Sequence, residues 1–159
     1  MLKIRAYNPD KDSLFVEGMI ESEEYDMNIN YSTLKKTFNR DSIYVLEYKD
    51  RKYGFCEYYE VDDLNKNLSL NIIFTRFNKY INGKFILEII RKIFREDDYN
   101  KLIIKVREEN KRMLRILQKN NIHCEGVISN IKTKDNVLTN IYIYSILRSE
   151  YLYKHEEYN

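Results

Sequence analysis

The chain has 159 residues, 43% of them hydrophobic and 33% charged, which is one ordinary domain with enough apolar side chains for one core. Four Gly and one Pro exclude collagen and low-complexity linkers. Lys+Arg 27 against Asp+Glu 25 leaves +2, which makes no electrostatic case for a dedicated nucleic-acid binder.

Met1-Leu2-Lys3-Ile4-Arg5 lacks a signal-peptide pattern, and no apolar run is long enough to span a bilayer. Cys56 and Cys124 form no C-x-x-C and no metal-type cluster, so each is expected as a small buried thiol in a reducing cytoplasm, with no metal site.

Leu2–Tyr7 reads as a strand, and Pro9-Asp10 breaks it. Asp10 or Asp12 is expected to cap a helix from Ser13 to about Tyr25, with Leu14, Phe15, Met19 and Ile20 opposite Glu17, Glu21, Glu23 and Glu24. A short helix from Ser32 to Phe38 follows. Strands are expected over Ser42–Tyr48, Lys52–Val61 and Leu68–Phe74, with turns at Lys49-Asp50-Arg51 and over 62–67, an antiparallel meander. Ile86, Leu87, Ile89, Ile90, Ile93 and Phe94 then make a wide helical stripe. Lys101–Val106 is a strand, and a β–α–β crossover sets it parallel to the strand before the helix. Glu108–Asn120 is a helix on Met113, Leu114, Ile116 and Leu117. Val127–Lys132 and Leu138–Leu147 close the domain as a hairpin turning at Lys134-Asp135-Asn136. The expectation is an α/β (α+β) domain over residues 1–148, three layers with a mixed, mostly antiparallel sheet and helices on both faces, then a charged tail over 149–159.

The stretch Lys101 to Val127, KLIIKVREENKRMLRILQKNNIHCEGV, with the ending NIYIYSILR over 140–148, resembles the GNAT acyltransferase superfamily, in the branch of ribosomal-protein N-terminal and spermidine acetyltransferases. The resemblance runs from Leu2 to about Leu147. It implies acetyl-CoA as co-substrate and an amine-bearing acceptor, a small molecule or a protein N-terminus. It also implies that the strands Leu68–Phe74 and Lys101–Val106 splay, so that the backbone of Ile73, Phe74 and Thr75 pairs with the pantetheine arm.

Two functional positions depart from the family pattern, and a general base is not obvious. The family's phosphate loop, Q/R-x-x-G-x-G/A, falls on Tyr80 to Phe85, with Tyr80 in the Gln/Arg place, Gly83 in the first glycine's and Phe85 in the second's, so that Asn82, Gly83 and Lys84 are the cofactor-binding candidates. Backbone N–H groups at a helix start would hold the phosphates there, helped by the helix dipole and by Lys84. The other reading of Gly83 is a turn before a helix. The family's general acid, a Tyr, falls on Leu117, which donates no proton. Its base position falls on Ser69, with Glu57 and Glu60 on the preceding strand as substitutes. Glu57 shares a strand face with Phe55 and Tyr59, and its other reading is a solvated strand residue.

Asn110 stands where the family's Asn contacts the cofactor, and is equally an ordinary helix cap. Tyr58 and Tyr144 are expected as packing residues, and His123 and His155 as surface ones. Glu17, Glu21, Glu23, Glu24 and Asp26 either attract a cationic amine or form a solvated face. Three functions are therefore weighed: a CoA-dependent N-acyltransferase, a catalytically idle module of the same fold, and a nucleic-acid binder using Tyr stacking with Arg112, Arg115, Lys132 and Lys134. The first is favoured over the second, and the third is set aside. The oligomeric state stays open, a homodimer through the last strands being one outcome.

Overall fold

A computed structural model of the chain describes residues 1–20, 42–76, 78–133 and 136–151. The helix expected over 32–38, the acidic positions from Glu21 to Asp26, the hairpin tip Lys134-Asp135 and His155 lie outside the described residues.

Among the described residues, seven strands form one sheet in the order β1-β2-β3-β4-β5-β7-β6. They are β1 (Leu2–Ala6), β2 (Ile43–Tyr48), β3 (Arg51–Asp62), β4 (Asn67–Phe74), β5 (Lys101–Arg107), β6 (His123–Lys132) and β7 (Leu138–Leu147). Every pairing is antiparallel except β4 with β5. On one face lies α1 (Pro9–Ile20), whose Val16 is buried with Ile43, Val45, Phe55 and Ile73. On the other lie α2 (Lys79–Glu96) and α3 (Lys111–Lys119), over Leu46, Leu68, Leu70, Ile72, Leu102 and Ile104. The three layers and the mixed sheet are those read from the sequence.

The α2 stripe holds at Ile86, Ile89, Ile90, Ile93 and Phe94, and Phe85 joins it. Leu87 lies at the edge of the stripe and is 37% exposed. All four apolar residues expected of α3 are buried.

Corrections concentrate at element ends. Helix α1 begins at Pro9, four residues before Ser13. Proline fits a first helical position, where its missing N–H is no loss. Asn8, not Asp10 or Asp12, caps it, its Oδ1 accepting from Asp10 N at 3.0 Å. Leu14 is exposed, and Val16 takes the core position. Strand β6 starts at His123 rather than Val127, because pairing with β7 (His123 opposite Ser145) decides it, and His123-Cys124-Glu125-Gly126 carries no apolar alternation to announce it. The β2–β3 turn is the two residues Lys49 and Asp50, at φ 51° and 58°, the left-handed pair whose twist matches a hairpin. Cys56 is buried, Cys124 half-buried, and both are free thiols. Residues 148–151 are helical, and Tyr151 packs on Phe94 with ring centroids 5.5 Å apart.

Asp12 has no exposed surface and sits in an ion network that fastens α1 to the sheet. Its carboxylate accepts two hydrogen bonds from the Arg5 guanidinium, at 2.6 and 2.9 Å, and one from Asn8 N at 2.8 Å. Lys52 Nζ lies 3.0 Å away. Arg5 chiefly holds the Asp12 carboxyl far below the usual carboxylate range. The folded state therefore keeps this group ionised where the unfolded chain protonates it, near 3.8. Its stabilisation is present above that pH and is lost on acidification below it. Asp12→Ala is expected to cost about 3 kcal/mol at pH 7, since it removes a fully buried carboxylate that Arg5 and Lys52 share and leaves Arg5 to Glu47 alone. Urea melts at pH 7 and pH 3 check this: the difference between variant and wild type should shrink at the lower pH.

Candidate functional site

Strands β4 and β5 start side by side and then separate. They pair at Asn67 with Lys101, Leu68 with Leu102 and Ser69 with Ile103, and no further. Beyond Ser69, β4 stays bound to β3 on its other side as far as Phe74, opposite Gly54. A gap thus opens toward the carboxyl ends of two parallel strands, where ligands bind in open α/β sheets. Strand β4 runs into α2 and β5 into α3, so both helix starts stand at the open end of the gap.

The gap offers backbone. Thr75 N donates to Tyr53 O at 2.9 Å. Antiparallel ladders alternate, so Ile73 also turns its backbone groups toward β3, and those of Ile72 and Phe74 turn to the gap. Of the three positions Ile73, Phe74 and Thr75, only Phe74 presents its main chain there. The Thr75 hydroxyl is also spent on Tyr53 O, at 3.0 Å.

A polar row crosses the α1 face beside the point of separation. Tyr7 N donates to Ile43 O at 3.0 Å, Ile43 faces Glu57, and Glu57 faces Asn71. Ser69, two residues before Asn71, shares that face at the last paired position of β4. The solvated reading of Glu57 is overturned: it is 2% exposed. Burial pushes its carboxyl up to about 7, against a hydrogen bond from the Asn71 side chain that lowers it. Its Oε2 is buried with no hydrogen-bond partner among the described residues, and so is the Tyr7 hydroxyl. A buried carboxylate with a free lone pair, titrating near neutrality, has what a general base needs. Ser69 is also buried. The sequence reading missed Asn71 and Tyr7, and Asn71's polar place within an otherwise apolar strand was the available signal.

The helix start differs from the one the phosphate-loop expectation assumed. Helix α2 begins at Lys79, four residues before Gly83, with Asn78 as its cap. Asn78 Oδ1 accepts from Tyr80 N at 3.1 Å and Ile81 N at 3.2 Å. Asn82 returns a bond, its Oδ1 accepting from Asn78 N at 3.2 Å, and its amide donates to Arg76 O at 3.3 Å. The chain itself therefore occupies N–H groups that a phosphate would use. Asn82 and Gly83 are buried inside the helix. Lys84 is exposed, its ammonium 4.3 Å from the Tyr80 ring centroid.

Gly83 is instead where α2 approaches α3. A Cβ there would lie 3.1 Å from Asn120 Nδ2. Gly83→Ala is expected to hold or raise the melting temperature, since alanine gains about 1 kcal/mol over glycine in a helix and the side-chain amide shifts slightly. Gly83→Leu is expected to cost about 2 kcal/mol by prising the helices apart. Thermal melts of the two variants check the contrast.

Asn110 caps α3, its Oδ1 accepting from Met113 N at 3.1 Å. Leu117 is fully buried and faces the core. Tyr58 donates to the Tyr44 hydroxyl at 3.0 Å and stacks on its ring, and Tyr144 is buried, both as packing residues. His123 is exposed. Among the described residues no cluster of His, Cys, Asp and Glu could hold a metal, and no helix is long and apolar enough to cross a membrane.

The sheet order, the single parallel pair that splays, and the helices on both faces are the fold of the GNAT acetyltransferases, and comparison with solved structures bears this out. The chain is similar to the spermidine N-acetyltransferase of Vibrio cholerae in complex with CoA and spermine, at 17% identity and a TM-score of 0.77 over 95% of this chain and 98% of that one. Mutant forms of the spermidine/spermine N-acetyltransferase from the same organism give 16% and 0.78, over 98% and 99%. A GNAT-family acetyltransferase from Bacillus anthracis gives 18% and 0.73, over 93% and 95%. No protein-family model and no curated protein matches the sequence.

Proposed function

We propose that the chain is an N-acetyltransferase that moves an acetyl group from acetyl-CoA to a primary amine of a small molecule or a protein N-terminus. The observation that carries this reading is the buried Glu57 carboxylate, with an oxygen that has no partner among the described residues, beside the gap between β4 and β5. When bound, the co-substrate supplies an acetyl thioester. The main chain of Ile72 and Phe74 holds its extended arm as an added strand. Glu57, oriented by Asn71, takes a proton from the cationic amine, directly or through one water, so that the free amine attacks the carbonyl. The departing thiolate takes its proton from solvent, because Leu117 offers none. Holding both reactants in the gap makes the attack local, which supplies much of the acceleration. Glu57 favours a cationic acceptor, and the neighbour's spermine makes a polyamine the first to try. The free thiols suit an enzyme of the cytoplasm.

A second reading, a binding module without turnover, is favoured by one observation: Asn78 takes the N–H groups at the start of α2. Calorimetric titration with acetyl-CoA, followed by a screen of polyamines and peptides, separates the two. The proposal expects micromolar binding and acetylated product, with rate rising as pH passes about 7. Absence of binding at millimolar acetyl-CoA overturns it. Binding without product under every acceptor selects the module.

A further inference from the structure

Tyr7 stands in the same cross-strand row as Glu57. Its N–H donates to Ile43 O, and Ile43 lies opposite Glu57, so Tyr7, Ile43 and Glu57 succeed one another across the α1 face. Two strand spacings separate Tyr7 from Glu57, about 10 Å between Cα atoms, which is within the combined reach of the two side chains. Both side chains end in a buried polar atom with no hydrogen-bond partner among the described residues, the Tyr7 hydroxyl and Glu57 Oε2. Buried polar atoms are nearly always paired, and the exceptions collect where a ligand binds. Asp12, the other buried carboxylate among the described residues, shows the usual condition: Arg5, Asn8 and Lys52 take both its oxygens.

The surroundings of the two atoms are apolar. Phe15, Met19 and Ile20 of α1 pack against the buried cluster that holds Ile43 and Phe55, and Tyr7 packs there too. The same stretch of α1 contains Gly18, which is exposed. A Cβ at residue 18 would meet nothing within 4 Å, and the torsion is ordinary. Neither space nor backbone requires that glycine, and in a helix interior it weakens the turn that covers the row. The cover over Glu57 is thus the part of α1 that opens most readily.

We infer that Tyr7 determines acceptor specificity: its hydroxyl and Glu57 Oε2 together hold one primary ammonium, and the apolar side chains beside them take the aliphatic carbons next to it. The inference rests on the acetyl-transfer reading of this site and narrows its acceptor to an aliphatic primary amine. A primary ammonium has three N–H donors, and a phenol oxygen and a carboxylate oxygen both accept. A peptide N-terminus carries a polar carbonyl two bonds from its nitrogen. The described neighbours offer that carbonyl only apolar side chains, the Asn71 amide being taken by Glu57, so its burial is unfavourable. A quaternary ammonium brings the charge without an N–H.

The test is calorimetric titration of the full chain with butylamine, butyltrimethylammonium and dialanine at pH 8, where Glu57 is ionised, for wild type and Tyr7→Phe, with acetylation kinetics alongside. Wild type is expected to bind butylamine roughly tenfold or more tightly than dialanine, and not to bind the quaternary ion. Tyr7→Phe should weaken butylamine about tenfold and raise its KM by the same factor, with kcat changed less than about twofold. A hydroxyl with a merely structural role would not produce that split. Melting curves should show Tyr7→Phe no less stable than wild type, since it removes a buried atom without a partner. Butylamine bound equally by both proteins, the quaternary ion bound as tightly as butylamine, or no binding at millimolar butylamine overturns the inference. An unchanged KM in an active Tyr7→Phe also overturns it and leaves the transfer reading standing. Butylamine binding that Tyr7→Phe weakens, with no acetylated product from wild type, upholds the ammonium site and sinks the transfer reading.

Discussion

Glu57→Gln is expected to lower acetyl transfer at pH 7 by roughly 10²–10⁴-fold while leaving the fold intact, and to abolish the rise in rate that the wild type shows through about pH 7. The same substitution has a stability signature. The unfolded chain loses the Glu57 proton near 4.5, and the folded chain keeps it to about 7, because burial outweighs the bond from Asn71. Between those values the folded state binds more protons, so this group's contribution falls as pH rises and is lost above 7. Glutamine removes that penalty. The variant should therefore be more stable than wild type at pH 8, by about 1–3 kcal/mol, with the gain absent at pH 4. The sign is opposite to that of Asp12, whose carboxylate is paired. Urea melts at the two pH values, with a pH–rate profile, decide the matter. A variant of full activity, or one less stable at pH 8, would make Glu57 a structural residue.

Gly54→Ala should destabilise the protein by about 3 kcal/mol and lower Tm by roughly 6–12 °C. A Cβ at residue 54 would stand 2.1 Å from the Ile73 carbonyl oxygen and 3.1 Å from Phe74 Cα. Both are backbone atoms, so no side chain can rotate away, and β3 must part from β4. The backbone torsion is ordinary, since no glycine among the described residues has a positive φ. Space alone demands the glycine. The break would fall where β4 borders the gap, so ligand affinity should drop with stability. Differential scanning calorimetry checks the first effect and titration with acetyl-CoA the second. Wild-type stability in Gly54→Ala would mean that the strands pass less closely than described.

The resemblance drew attention to Gly83 because it is the only glycine between Phe74 and Tyr99. The actual helix start carried its own signal, an Asn at 78 followed four residues later by a second Asn. Two short amides that cap one another satisfy the first turn without glycine or phosphate. Gly54 shows the converse: a glycine within a β-rich run marks a close backbone approach. Glu57 was recognised as a candidate, while its burial was not, because alternation along β3 tells which residues share a face and not whether anything covers that face.

The elements themselves were legible. The 3.6-residue stripe of α2, the apolar face of α3, the limits of β7 and the parallel crossover into β5 are local patterns, and local backbone geometry produces them. The tertiary structure alone decided three things. It buried Glu57, through neighbours on β2 and β4 that lie 14 residues away in the chain. It ended the β4–β5 pairing at Ser69. It set Tyr7 and Glu57, far apart in the chain, in one cross-strand row. A carboxyl's affinity for its proton, and the nearness of one polar side chain to another, depend on what is packed around them, and periodicity along a chain records only which side of an element a residue occupies.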